Sequence, residues 1–295
     1  MAYAPHREGR IWDARENRTY YCRLYRPHVL AEAVNAAYPD QATRYAVNIG
    51  AGDGVSCNDP VYPLFACGFG GLAVEGGDAP TLASNLPADN IRKLTRTFVT
   101  PMNVAELLRA AACPVNCDFL KIDIDGYDGP VLKAVLEAGY RPKVIQMEVN
   151  PEFPPPIAFS VLYHPRYRGS DRAGRVGGFY GASTAYVLHA TRLYGYRLAY
   201  LDFVTEWTHD VTLVRGDLFE VAVGVLGEEI RTASVRDRWL AHPPGYSHFA
   251  EYDIDSLAWR YRTDYHELVP EIWEHCLAAD ATKHEDFVVP FHLSC

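Results

Sequence analysis

From residue 45 onward, short apolar runs punctuated by Gly, Pro and Asn alternate with segments whose apolar residues recur at helical spacing. This rhythm is the strongest constraint on the fold. A strand–helix–strand repeat can bury both faces of its strands when they form a parallel sheet with helices on each side. Strands are expected at 45–49, 71–75, 97–100, 118–123, 143–149, 197–203 and 210–215. Between them, Asn103 is placed to cap the helix NVAELLRAAA, and Asp128 with Pro130 to open PVLKAVLEA before Gly139 ends it. Ser183 similarly opens STAYVLHATRLY, closed by Gly195. The agreement of these signals points to one α/β domain on a doubly wound sheet of seven strands.

The flanks read differently. Residues 1–44 are rich in aromatic and charged side chains, hold one amphipathic helical pattern at 28–38 (HVLAEAVNAAY), and are read as an N-terminal cap segment. After residue 218 the pattern turns helical and acidic, with helix candidates at 224–241 and 254–279, so 219–295 is read as a C-terminal helical extension and 45–218 as the catalytic domain. One connection, 154–183, is too long for a routine crossover and is expected to be a substrate lid. It gathers Arg166, Arg168, Arg172 and Arg175 with Tyr163, Tyr167 and Tyr180. The arginines suit an acidic ligand and the tyrosines an aromatic pocket, and a merely solvated loop accounts for both equally well.

Composition narrows the partners. A formal charge of −9 gives no field with which to gather a phosphate backbone or anionic lipid, so neither nucleic acid nor membrane is an expected partner. No apolar run approaches the roughly 20 residues a membrane span needs. Seven cysteines at irregular spacing, and an opening MAYAPHREGR without a charged-then-apolar signal, suit a reduced cytoplasmic setting. Cys113 and Cys117 lack the second pair that structural zinc requires. A small-molecule partner is expected, and the Tyr-rich termini offer a surface for a homodimer that exposed aromatics alone do not establish.

The most informative motif is AVNIGAGDG at 46–54, where an apolar run enters Gly50, Gly52 and Gly54. Such a turn lets the backbone bend after the first sheet strand and approach a ligand. A dinucleotide fingerprint would put its third glycine at 55, where Val55 stands. The GxGxG spacing is instead the one associated with S-adenosylmethionine enzymes. The next strand ends in LAVEGGD, which sets Glu75 21 residues beyond Gly54, where a carboxylate can accept both hydroxyls of a ribose. Two further strand ends carry acids and amides: Asp123 and Asp125 in DFLKIDIDGYDGPVL, then Glu148 and Asn150 in VIQMEVNPEFPPP.

The stretch LKIDIDGYDGPVLKAVLEAGYRPKVIQMEVNP resembles the signature of FkbM-type methyltransferases, LKIDxEGxE ahead of a helix. GASTAYVLHATRLYGYRLAYLD at 181–202 is similar to that family's last helix and strand, so with AVNIGAGDG and GLAVEGGD the resemblance spans about 45–215. It implies the class I methyltransferase (Rossmann-like) fold with strand order 3-2-1-4-5-7-6, and methyl transfer usually to oxygen. It carries cofactor roles to Gly50, Gly52, Glu75 and Asp123, and with Asn48 and Asp53 of the same turn these make up the expected S-adenosylmethionine contacts. Asn48 stands where an acid is common in the family, and THDVTLV at 208–214 lacks the family's GxNAFFV-like ending, so the acceptor's identity does not carry over.

Methyl transfer asks an enzyme to align donor and acceptor and to exclude water, and a hydroxyl acceptor must also lose a proton. A divalent cation (Mg²⁺, Mn²⁺ or Ca²⁺) on Asp123, Glu148 and Asn150, with Asp125 as an alternative ligand, would assist that step, and the same residues could instead hold one another and the cofactor's amino group. Asp123 is therefore a catalytic candidate as well. His209, just before the last expected strand, is the candidate base. Two rivals use the same sheet: an inactive protein that binds S-adenosylmethionine or S-adenosylhomocysteine as a sensor or assembly partner, and an oxidoreductase holding NAD, which the broken fingerprint disfavours.

Overall fold

The computed structural model describes residues 8–13, 18–23, 27–55, 59–86, 88–165, 167, 179–202, 210–241, 262–280 and 291–294. A hairpin of β1 (Glu8–Asp13) and β2 (Arg18–Arg23) precedes α1 (Pro27–Ala37). The central sheet is built from β3 (Tyr45–Ile49), β4 (Gly70–Val74), β5 (Ile91–Leu94), β6 (Phe119–Ile122), β7 (Val144–Glu148), β9 (Tyr196–Asp202) and β10 (Asp210–Arg215). Their order is β5-β4-β3-β6-β7-β10-β9, with β10 antiparallel to both of its neighbours. Counted within the sheet alone this is 3-2-1-4-5-7-6, the class I methyltransferase (Rossmann-like) arrangement.

Alternation along the strands explains why the sheet is covered twice. Val47, Ile49, Leu120, Ile122, Ile145 and Met147 enter one core, with α4 (Val104–Ala110), α5 (Asp128–Glu137) and α6 (Thr184–Arg192) against them. Ala46, Ala73, Phe119 and Val144 enter the other, with α1 and α7 (Phe219–Leu226). Each fully buried Val, Leu or Ile in such a core contributes on the order of 1.5–3 kcal/mol. Shorter helices α2 (Tyr62–Ala66) and α3 (Leu82–Asn85) complete the second face.

A third core lies outside the sheet. β8 (Ala158–Val161), inside the long connection, pairs antiparallel with β11 (Phe291–Ser294) near the end of the chain. Phe153, Ile157, Phe159 and Phe179 pack there with Leu268 and Ile272 of α10 (Tyr265–Asp280). The described part of 154–183 is thus pinned by the C-terminal segment. Arg166, Arg168, Arg172 and Arg175 lie outside the described residues.

Several expectations need correcting. The third strand is Ile91–Leu94 rather than 97–100. It is an edge strand, where Arg92 and Lys93 are tolerated because one side faces solvent, so it lacks the apolar run of an inner strand. Residues 97–100 form the loop after it, and Thr97 N–H returns to the carbonyl of Glu75 (3.0 Å). Asn103 does not cap α4: its Oδ1 accepts from Thr100 N–H (2.8 Å) and its Nδ2 donates to the carbonyl of Phe98 (2.9 Å). Asp128 likewise turns back, accepting from Ile124 and Gly126 N–H, whereas Ser183 caps α6 by accepting from Tyr186 N–H. The expected helix at 224–241 is broken into α7, α8 (Glu229–Thr232) and α9 (Val235–Ala241); of the one expected at 254–279, the described helix is α10, and 254–261 lie outside the described residues. Among the described residues no helix is long and apolar enough to cross a membrane.

Candidate functional site

The carboxyl ends of β3, β4 and β6 open onto one cleft of about 840 Å³. Its floor is the glycine turn. Gly50 and Ala51 N–H both donate to the carbonyl of Val74, tying the turn to β4, and all three glycines have positive φ. A Cβ on Gly50 would lie 1.5 Å from the backbone oxygen of Asp123, so this glycine lets β6 approach. A Cβ on Gly52 would meet nothing within 4 Å, which leaves its backbone facing open space.

Glu75, just beyond β4, bridges two loops. One carboxylate oxygen accepts from Gly52 N–H (2.8 Å) and the other from Gly77 N–H (2.7 Å). Its position is thereby fixed at the cleft wall beside the glycine turn. Asn48 and Asp53 are elsewhere. Asn48 is fully buried and donates to Asp59 (2.5 Å), while Asp53 closes its own turn by accepting from Val55 N–H (3.0 Å); neither lines the cleft.

Lys121, on β6, escaped the sequence reading although a lysine inside an apolar strand is itself a signal of a buried ion pair. Its Nζ donates to the carbonyl of Gly50 (2.8 Å) and pairs with Asp123 (3.1 Å). Burial works against its charge, but Asp123 and Asp59 outweigh burial and raise its pKa above the ordinary lysine value. One side chain therefore joins the glycine turn to the acids of the next strand.

Those acids form a group. Oxygens of Asp123, Asp125 and Glu148 lie within 4.8 Å of one another. Glu148 is only 8% exposed, and its Oε2 has no hydrogen-bond partner among the described residues. Burial, followed by the charges of Asp123 and Asp125, pushes its carboxyl well above the usual range. Asp125 still reaches solvent, yet the protein packed around it and then the charge of Asp123 push it up to about 6. Burial raises Asp128 to about 7, opposed by the hydrogen bonds from Gly126 and Ile124. Asn150 is fully buried; its Nδ2 donates to the carbonyl of Tyr180 (3.1 Å) and its Oδ1 accepts from Glu152 N–H (2.9 Å). Asp125, the alternative ligand of the sequence reading, is the third acid of the group. His209 lies outside the described residues.

Phe98 and Tyr127, which the sequence reading did not single out, complete the wall with two tyrosines that it did. Phe98, 71% exposed, stands over Gly76, and Tyr127 lines the cleft with Tyr163 and Tyr167. Phe98 sits in no recognisable motif, and Tyr127 occupies a variable position inside DFLKIDIDGYDGPVL; both reach the site from loops whose paths depend on tertiary packing.

No protein-family model matches the chain, and no curated protein matches it. Among solved structures, similar chains include the S-adenosylmethionine-bound amino pentose methyltransferase CalS10 from Micromonospora echinaspora, at 18% identity over 64% of this chain and 89% of that one, with a TM-score of 0.33. DesVI from Streptomyces venezuelae is similar at 14% identity over 64% and 90%, with a TM-score of 0.35. A 1,6-didemethyltoxoflavin-N1-methyltransferase from Burkholderia thailandensis, with S-adenosylhomocysteine bound, is similar at 14% identity over 64% and 77%, with a TM-score of 0.33.

Proposed function

We propose that the cleft binds S-adenosylmethionine and that the protein transfers its methyl group to a hydroxyl of a small-molecule acceptor. The observation that carries this reading is the Glu75 carboxylate, held at the end of β4 by Gly52 and Gly77 N–H beside a glycine turn with open space above it. A ribose diol is recognised by such a paired acceptor. Phe98 offers the adenine a flat apolar surface.

Charge favours a sulfonium donor over a dinucleotide. The cleft presents Glu75, Asp123 and Asp125, and its lysine is engaged with Gly50 and Asp123, so a pyrophosphate would meet like charge. Gly54, moreover, serves packing: a Cβ there would lie 2.8 Å from Leu82. A cationic sulfonium with its amino group suits the same surface.

Transfer is an in-line displacement in which the S–CH3 bond breaks with its electron pair left on sulfur while the acceptor oxygen bonds the methyl carbon. This chain's share is to orient both partners and receive the hydroxyl proton. Asp125, with its carboxyl near 6, is basic enough to take that proton close to neutrality. Asp123, Asp125 and Glu148 also fit a divalent cation, because three hard oxygen donors converge and one, Oε2 of Glu148, is buried with no hydrogen-bond partner among the described residues. Mg²⁺, Mn²⁺ or Ca²⁺ bound there would supply Lewis-acid stabilisation of the deprotonated hydroxyl.

Calorimetric titration with S-adenosylhomocysteine and with NAD tests the cofactor. The first is expected to bind and the second not, with Glu75→Gln weakening S-adenosylhomocysteine about tenfold or more, the cost of one charge-assisted contact. Binding of NAD alone would overturn the reading. Mass spectrometry of a native extract incubated with protein and isotopically labelled methyl donor then separates transfer from mere binding.

A further inference from the structure

Beyond Asp123 and Asp125 the cleft wall passes to Tyr127, Tyr163, Pro165 and Tyr167. The rings form one cluster: Tyr127 lies 5.1 Å from Tyr163 at 61°, and 5.1 Å from Tyr167 at 59°. Two of the three polar ends are tied down. The Tyr127 hydroxyl bonds the carbonyls of His164 (2.7 Å) and Tyr167 (2.9 Å), and the Tyr167 hydroxyl donates to the carbonyl of Phe179 (2.7 Å). What this end of the cleft offers a ligand is therefore aromatic surface held in place before binding, a low-entropy platform for a ring.

The electrostatics at this end are one-sided. Two backbone donors that might greet an anion, Ile124 and Gly126 N–H, are both taken by the Asp128 carboxylate (2.9 and 3.0 Å). Among the described lining residues the only cation is Lys121, whose Nζ is engaged by Gly50 and Asp123. An anionic acceptor would be desolvated here against Asp123 and Asp125 with no compensating partner among the described residues. A neutral ring loses nothing, and a cationic one gains from ring faces and carboxylates together.

We propose that the acceptor is an aromatic ring compound without negative charge, seated against Tyr127 and Tyr163, with the buried Tyr167 packed behind them, and with its hydroxyl toward Asp123 and Asp125. The proposal rests on the methyl-transfer reading and adds the chemical class of the acceptor. It runs against the expectation of an acidic ligand gripped by the arginines of 166–175.

Three phenols of matched size test it on the full-length protein saturated with S-adenosylhomocysteine: 4-ethylphenol, tyramine and 4-hydroxyphenylacetate, followed by ligand-observed NMR and calorimetry. The neutral and cationic phenols are expected to bind about tenfold or more tightly than the carboxylate, the ratio that one uncompensated charge contact produces. Tyr163→Ala is expected to weaken 4-ethylphenol about fivefold, the loss of one aromatic contact, with S-adenosylhomocysteine binding unaltered, and Tyr163→Phe to restore it. Tightest binding by the carboxylate, no binding by any of the three, or indifference to Tyr163→Ala would each overturn the proposal. If S-adenosylhomocysteine itself fails to bind, the methyl-transfer reading falls separately, and the order of the three phenols on the cofactor-free protein still decides the character of this wall.

Discussion

Gly50 and Gly52 stand two residues apart in one turn, both at positive φ, and the same substitution should do opposite things to them. In Gly50→Ala the new methyl carbon meets the backbone oxygen of Asp123 at 1.5 Å, so β3 and β6 must separate where they are hydrogen-bonded. A stability loss above about 3 kcal/mol, or failure to fold, is expected. Gly52→Ala adds only the strain of a left-handed backbone, about 1–2 kcal/mol, but fills the space over the turn and should cost S-adenosylhomocysteine affinity about tenfold. Urea unfolding and calorimetry on both variants read the contrast; equal stability losses would refute the division of roles. Glu152 gives a second residue-scale test. It is 3% exposed, and burial raises its carboxyl from an ordinary 4.5 to about 7. The folded chain therefore holds this proton more tightly than the unfolded one, so the group's contribution is complete below about pH 4.5 and is lost as pH rises through about 7. Glu152→Gln should remove that decline and leave the variant more stable than the parent at pH 8 by up to about 3 kcal/mol. Unfolding curves with the same slope against pH in both proteins would contradict it.

Among the elements, the small third core holds Tyr167 and so backs the tyrosine end of the cleft. Leu268 and Ile272 of α10 are fully buried against Phe153, Ile157 and Phe159, and Arg236 of α9 donates to the carbonyl of Pro155 (3.2 Å) and to the Tyr265 hydroxyl (2.6 Å). Leu268→Ala and Ile272→Ala should each cost this core about 2–5 kcal/mol. The expected sign is protease cleavage within 154–183 at temperatures where the central sheet is intact and still binds S-adenosylhomocysteine; loss of both together would mean that the cores do not separate. This arrangement was hidden in the sequence because β8 and β11 pair Val161 with Phe291, a partnership between distant segments that no local periodicity records. The inner strands were legible for the opposite reason. β3, β6 and β7 are buried on both faces, so each appears as a mostly apolar run, broken only by Asn48, Lys121 or Gln146, that leads into Gly or an acid. β5 was misread because an edge strand carries charge, and the buried Val99 after it imitated a strand. Of the acid cluster, Asp123 and Glu148 followed from their places at strand ends. Asp125, the alternative ligand, followed from the same strand end, but the left-handed backbone (φ 51°) and the turn held by Asp128 that bring it round are a geometry that spacing does not encode.

Across the whole molecule, the formal charge of −9 is less informative than its local concentration, because Asp123, Asp125 and Glu148 converge at the edge of the sheet where the cleft opens. Converging carboxylates oppose folding through mutual repulsion and relieve it either by retaining protons, as the raised Glu148 and Asp125 do, or by sharing a cation. The two forms of relief compete, since a ligand carboxyl must lose its proton to bind metal. Mn²⁺ should therefore stabilise the intact protein, and the effect should grow as pH rises from 5 to 8. At one hundred times the dissociation constant the gain is about 2.7 kcal/mol, or about 5 °C in Tm for a chain of this size. Glu148→Gln removes the buried donor while keeping its shape, so its Tm should no longer respond to Mn²⁺, and exhaustive chelation should lower Tm only in the parent. A shift that is independent of pH and persists in Glu148→Gln would mean that the ion binds elsewhere, leaving the acids at the sheet edge as proton carriers.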